Sequence, residues 1–169
     1  QVWEEYNWTT HPVSTTDLVG TMIRKAGSDV LKKEVLSKII SGDAVCSLGY
    51  SEPGCGSDVF AAKTKATRLP DGNWRIDGAK MWTSGANIAQ YVIMLTRTNP
   101  DVPKHKGLTM FIVPLDSPGI EIHPVYTFQD ERTNATFYDG VIVKDEYRLG
   151  EIDGGVKTMA AALELEHGG

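Results

Sequence analysis

Ala62-Lys-Thr-Lys-Ala-Thr-Arg-Leu-Pro-Asp-Gly-Asn-Trp-Arg-Ile76 decides how the middle of this chain is built. Two runs, Ala62–Leu69 and Trp74–Ile76, flank Pro70-Asp71-Gly72. Proline presets φ for a turn and glycine tolerates positive φ, so the chain reverses here and the runs pair as a hairpin. Outward from this point, short strand-like runs recur with no helical period between them: Ala44–Tyr50, Lys80–Thr83, Tyr91–Thr98, Leu108–Leu115, Ile120–Val125 and Ala135–Val143. Asn99–Lys106, with two prolines and mixed charge, reads as an exposed loop. Seven or eight short strands joined by turns predict an antiparallel barrel or sandwich.

Both flanks read as helix. Ser14-Thr-Thr-Asp17 has capping-box spacing, and Leu18, Met22 and Ile23 follow at helical intervals. Gly27 can end that helix and Ser28 can cap the next, whose apolar face is Val30, Leu31, Val35, Ile39 and Ile40 and whose terminator is Gly42. From Gly154 the helical period returns in Val156, Met159, Ala160 and Leu163. The expected fold class is therefore α+β. An antiparallel β-barrel or sandwich middle domain (43–153) lies between the end of one helical domain (1–42) and the start of another (154–169).

Composition narrows the function. Of 169 residues, 41% are hydrophobic and 23% charged, as in a globular protein rather than a disordered one. The net charge of −5 leaves no basic stripe for nucleic acid, and no apolar run approaches the roughly 18 residues of a membrane span. Cys46 and Cys55 fit neither a disulfide framework nor a zinc pattern, and His11, His105, His123 and His167 have no ligand spacing. No metal is expected, and two buried thiols in a reducing cytoplasm are. Gln1 is not an initiator methionine, and the chain stops at His167-Gly-Gly169 just after a helical run. The expectation is a fragment, with the 169 residues inactive by themselves.

Two glycine- and hydroxyl-rich segments stand out: Leu48-Gly-Tyr-Ser-Glu-Pro-Gly-Cys-Gly-Ser57 and Lys80-Met-Trp-Thr-Ser-Gly85. Glycines let backbone N–H groups approach a flat polar ligand, and Trp82 could wall it. By composition alone the first segment reads as a tight surface loop before a ligand cradle, and Trp82 as a packing residue before a wall. It is neither a Walker loop, lacking the Lys-Ser or Lys-Thr pair, nor a Rossmann fingerprint, lacking a crossover helix.

Ser51-Glu-Pro-Gly-Cys-Gly-Ser-Asp58 resembles the Thr/Ser-Glu-Pro-Gly-Ala-Gly-Ser-Asp signature of acyl-CoA dehydrogenases, and Asp77-Gly-Ala-Lys-Met-Trp-Thr-Ser84 resembles their Asn-Gly-x-Lys-x-Trp-Ile-Thr signature. The match continues in order through Gly107–Pro114, Ser117–Ile120, Phe137–Val143, Leu149–Glu151 and Leu163–His167. The resemblance implies a middle β domain between two helical domains, FAD as cofactor and an acyl-CoA substrate. It places Leu48, Tyr50 and Ser51 along the flavin, with the Ser51 hydroxyl at the pyrimidine edge, and Gly56 and Ser57 at the pyrophosphate and acyl-thioester region. Trp82 would flank the isoalloxazine, and Thr83 and Ser84 would supply a backbone and a hydroxyl donor near N5 and O4. Such donors stabilise the charge that reduction puts on the ring. Leu48 replaces an aromatic, Thr83-Ser84 replaces Ile-Thr, and His167 stands where an arginine is usual.

The implied reaction is α,β-dehydrogenation of an acyl-CoA thioester, with electrons passed to electron-transfer flavoprotein, in a cytoplasmic tetrameric enzyme. The family's usual base lies beyond this chain; some members take it from the helix where Glu166 falls, with His167 beside the CoA. An acyl-CoA oxidase, a related flavin monooxygenase and a non-enzymatic interaction module remain alternatives. The Leu-Glu-His-Gly-Gly ending resembles bacterial members that act on bulky or steroid-like acyl-CoAs.

Overall fold

A computed structural model describes residues 11–128 and 131–166, with side chains given for 15–128 and 131–161. Helix α1, His11–Ala26, ends where Gly27 takes a bridge to Leu149. The capping-box expectation is corrected here: the helix is already formed at His11, so Ser14–Asp17 lies inside it. Thr16 instead accepts a hydrogen bond from the buried N–H of Cys46 at 3.1 Å, a tertiary contact that sequence spacing does not reveal. Helix α2 spans 29–41, with Lys32–Leu36 wound as π-helix. It starts as read, with the Ser28 hydroxyl accepting from the Leu31 N–H at 3.1 Å, and it stops at Gly42, whose φ of +81° ends the helix.

Eight strands follow among the described residues: β1 Cys46–Gly49, β2 Lys65–Arg68, β3 Trp74–Lys80, β4 Tyr91–Arg97, β5 Leu108–Pro114, β6 Ile120–Tyr126, β7 Arg132–Val143 and β8 Arg148–Leu149. Helix α3, Gly155–Glu166, closes the order. The strands form one sheet in the order β6-β7-β3-β2-β4-β5-β8, with β1 also on β4. With β6 and β8 at its ends the sheet is folded over as a sandwich rather than closed as a barrel. Most pairings are antiparallel, as expected, but β1–β4 and β2–β4 are parallel. The strand expected at Lys80–Thr83 does not exist separately: β3 runs through a bulge between Ile76 and Gly78 as far as Lys80.

β4 and β5 are buried on both faces. One face packs Ile93, Leu95, Met110 and Ile112 on Val19, Ile23, Leu31 and Val35 of the helices. The opposite face packs Val92, Met94, Phe111 and Val113 on Trp74, Ile76, Tyr138 and Val141 of β3 and β7. Each such fully buried side chain contributes about 1.5–3 kcal/mol relative to exposure. Trp74 meets Phe111 edge-on at 5.3 Å and donates its indole N–H to Asp145 at 2.7 Å. Strands this deeply fixed give the connecting loops stable anchor points.

Candidate functional site

The two glycine-rich segments meet at the end of β3. Ser51 follows β1, and its carbonyl accepts the N–H of Met81 at 2.9 Å. Next to that bond the chain turns sharply. Trp82 has φ +58°, an outlying conformation for a bulky residue, and the residue is 54% exposed. An exposed tryptophan in a strained turn is the pattern of a ligand wall more than of packing. Ser84 donates its N–H to the Trp82 carbonyl at 2.9 Å, and its exposed hydroxyl pairs with that of Thr133 at 3.1 Å.

Thr83 is at the turn but faces inward. It is fully buried, its N–H is donated to the Asn134 carbonyl at 2.9 Å, and its hydroxyl lies 3.4 Å from that of Thr136. Its backbone N–H is thus already used, which leaves the hydroxyl of the exposed Ser84 as the remaining candidate donor of the pair. Asn134, which sequence reading missed, is buried and donates to the Thr83 carbonyl at 3.1 Å and to Asn87 at 3.1 Å, fixing the turn from below. An asparagine amid the β-formers of Arg132–Val143 was its only signal.

Leu48 and Tyr50 are half-buried and face the helical core; Tyr50 points its hydroxyl at the Met22 sulfur, and burial raises its pKa. Gly54, Gly56 and Ser57 are exposed in the loop between β1 and β2, with open space where a Cβ on either glycine would stand. Cys55 is buried beneath them, exchanging backbone hydrogen bonds of 3.1 Å with Glu52. Both thiols are free, and burial pushes Cys46 up to about 12. Among the described residues no cluster could hold a metal ion, and no helix is long and apolar enough to cross a membrane. The Glu166 side chain and all of His167 lie outside the described residues.

Two charged residues missed in the sequence sit under the site. Glu52 and Lys80 are 7% and 0% exposed and pair at 2.8 Å. Burial alone would raise the Glu52 pKa, but the charge and hydrogen bond of Lys80 and the N–H groups of Lys63 and Thr64 hold it below the usual range. Burial lowers the Lys80 pKa, opposed by Glu52. Asp77 is held low by a hydrogen bond from Arg75, and Asp145 by one from Arg148. Lowered carboxylate pKa values add stability above the unfolded values, and that stability is lost as pH falls through the folded ones. The urea midpoint should therefore be flat from about pH 7 to 5 and fall steeply below about pH 4. A midpoint unchanged down to about pH 3 would exclude these carboxylates as contributors.

A cleft of about 470 Å³ lies on another side of the β1–β2 loop, lined among others by Lys63, Lys65, Arg97 and Lys104. Its guanidinium is committed to the carbonyls of Phe60, Ala62 and Lys104, and Lys104 is paired with Asp58. It contains neither Trp82 nor Ser84.

Comparison with known proteins fits this geometry. The sequence model of a family described as "Acyl-CoA dehydrogenase, middle domain" matches residues 47–140, which include both segments and the Trp82 turn. The chain belongs to the acyl-CoA dehydrogenase family. It is 44% identical over 122 residues to acyl-CoA dehydrogenase FadE34 of Mycobacterium tuberculosis, covering 72% of this chain and 17% of that protein. Among solved structures it is similar to the Tcur3481-Tcur3483 steroid ACAD, with TM-score 0.87 and 42% identity over 92% of this chain and 40% of that one. It is also similar to the ChsE4-ChsE5 complex from Mycobacterium tuberculosis, with TM-score 0.84 and 38% identity over 90% of this chain and 39% of that one. The chain thus spans well under half the length of these relatives.

Proposed function

We propose that the whole protein carrying this chain is an FAD-dependent acyl-CoA dehydrogenase, and that residues 43–153 are the domain whose Trp82 turn faces the flavin. The carrying observation is the exposed, positive-φ Trp82, tied through Met81 to the Ser51 carbonyl within the region that matches the family. The residues fit the group: an aromatic wall, a hydroxyl on the exposed Ser84, and a glycine loop with open backbone at Gly54 and Gly56. Trp82, Ser84 and Ser51 would hold the ring, with Thr83 bracing the turn; Leu48 and Tyr50, which pack on the helical core, would support the end of β1 beneath it. Gly56 and Ser57 would reach the pyrophosphate and thioester. When bound, FAD accepts the hydride equivalent lost from the acyl β-carbon, while a carboxylate takes the α-proton. The chain's own task is to shield the ring from water on the Trp82 side and to aim the Ser84 O–H at charge developing on reduction.

Residues 1–42 and 154–169 are read as parts of the two helical domains that complete the site. Electron-transfer flavoprotein is the proposed acceptor, and buried free thiols support a cytoplasmic setting. The likeness to a steroid ACAD and to a two-component complex favours a bulky, steroid-like acyl group and an oligomer that could be mixed in subunits.

The whole protein should purify yellow, and anaerobic addition of a matching acyl-CoA should bleach the flavin band; a colourless protein that takes up no FAD would sink this reading. Slow reoxidation of the bleached enzyme by air separates it from an oxidase. The base is assigned by Glu166→Gln: with FAD bound, loss of bleaching places it on Glu166, and bleaching at the wild-type rate places it outside this chain.

A further inference from the structure

β1 and β2 share one edge of β4. β1 pairs in the register Cys46↔Tyr91 to Gly49↔Met94, and β2 rejoins at Lys65↔Arg97. Continued unbroken, β1 would place Glu52 opposite Arg97, because its register differs from that of β4 by 45 residues (91 − 46, and 97 − 52). The chain instead leaves β1 after Gly49 and returns to this edge at Lys65, and the glycine-rich loop is the detour between.

Glu52 closes the neck of that detour. Its carboxylate accepts the N–H of Lys63 at 2.7 Å and of Thr64 at 2.9 Å, the two residues before re-entry. The Lys80 ammonium reaches the same carboxylate at 2.8 Å and donates to the Leu95 carbonyl on β4 at 2.6 Å. Its alkyl stem passes over Gly49, where a Cβ would stand 3.5 Å from the Lys80 Cγ. One cluster thus joins the loop entry, the loop exit, the end of β3 and the centre of β4. Ser51 is one residue from Glu52, Trp82 is two from Lys80, and the Met81–Ser51 hydrogen bond lies between them.

We infer that Glu52 and Lys80 are positioning residues: their clasp sets the spacing between the 51–57 loop and the Trp82 turn, and so the shape of the flavin pocket. This rests on the flavin reading above. Stability alone does not account for the pair, since taking two charges out of water offsets most of their attraction and apolar substitutes of similar volume usually hold a fold as well. What an apolar pair cannot do is satisfy the two loop amides and the Leu95 carbonyl in a single geometry.

The test is the double variant Glu52→Gln/Lys80→Met in the whole protein, which keeps both shapes and removes both charges together. It should fold with a near wild-type melting temperature. Amide hydrogen exchange at Met81 and Thr64 should speed up about tenfold or more while Ile93 in β4 is unchanged. The FAD dissociation constant should rise about tenfold or more, and the shape of the visible flavin band should change. Lys80→Met alone, which leaves the Glu52 carboxylate held by the Lys63 and Thr64 N–H groups, should move the same readouts in the same direction and replaces the double variant if that one does not fold. Unchanged exchange at Met81 overturns the clasp. Faster exchange with wild-type FAD affinity and band shape overturns its positioning role. A wild-type protein that takes up no FAD sinks the flavin reading instead, and the exchange data still decide whether the clasp holds the two segments.

Discussion

Gly78→Ala should lower stability by about 3 kcal/mol or more. Gly78 sits at the β3 bulge with φ +148°, where a side chain is strained by about 1–2 kcal/mol. Its Cβ would also stand 2.7 Å from the Cα and hydroxyl of Thr64 and 2.9 Å from the Thr64 Cβ. Backbone cannot swing aside like the tip of a long side chain, so overpacking adds about 1–3 kcal/mol. The shift would not stay local, because the Thr64 N–H is one of the two loop amides on Glu52. Gly72→Ala is the control: its φ is +89°, but nothing lies within 4 Å of the added methyl. Urea unfolding that finds the two variants equally destabilised would show that the approach of Thr64 is not tight.

Ser84→Ala should slow substrate-driven flavin reduction in the whole protein by about 10²-fold while FAD stays bound. Ser84 is exposed, and where the Thr133 hydroxyl at 3.1 Å donates to it the Ser84 proton is free for a ligand. A preplaced donor of this kind acts where negative charge grows, and removing one in comparable sites costs about 2.7–4 kcal/mol of transition-state stabilisation. Thr133→Val, which keeps Ser84 but removes its partner, should cost less. Single-turnover reduction at the wild-type rate in Ser84→Ala would reduce Ser84 to part of the turn's scaffold.

Local chemistry made much of this fold legible. Pro70-Asp71-Gly72 does join β2 to β3, with Lys65↔Asp77 through Arg68↔Trp74 paired across it. Ser28 and Gly42 cap and stop α2 as their side chains dictate. Where the reading failed, a distant partner overruled the local signal. Asp77-Gly78 looks like the end of a strand, yet β7 continues to pair across the bulge. The parallel pairing of β1 and β2 to β4 depends on residues about 30 to 45 positions away, which no short-range pattern encodes. No local pattern marks Glu52 and Lys80 as buried, because they pair across 28 positions of sequence. For the site, motif resemblance pointed to the Trp82 turn but could not show that Thr83 faces inward or that Asn134 braces it.

The detour between Glu52 and Lys65 has one more consequence. Because it departs from and rejoins the same edge of β4, with its neck tied by Glu52 and its return limb held by Arg97 on the Phe60 and Ala62 carbonyls, the register does not depend on the tip at residues 53–57. Lengthening or shortening such a closed excursion changes its closure entropy only slowly, by about 0.6 kcal/mol per doubling. The glycine-rich segment is thus a cassette: its tip can be rewritten to suit a different ligand while the strand that carries it keeps its register.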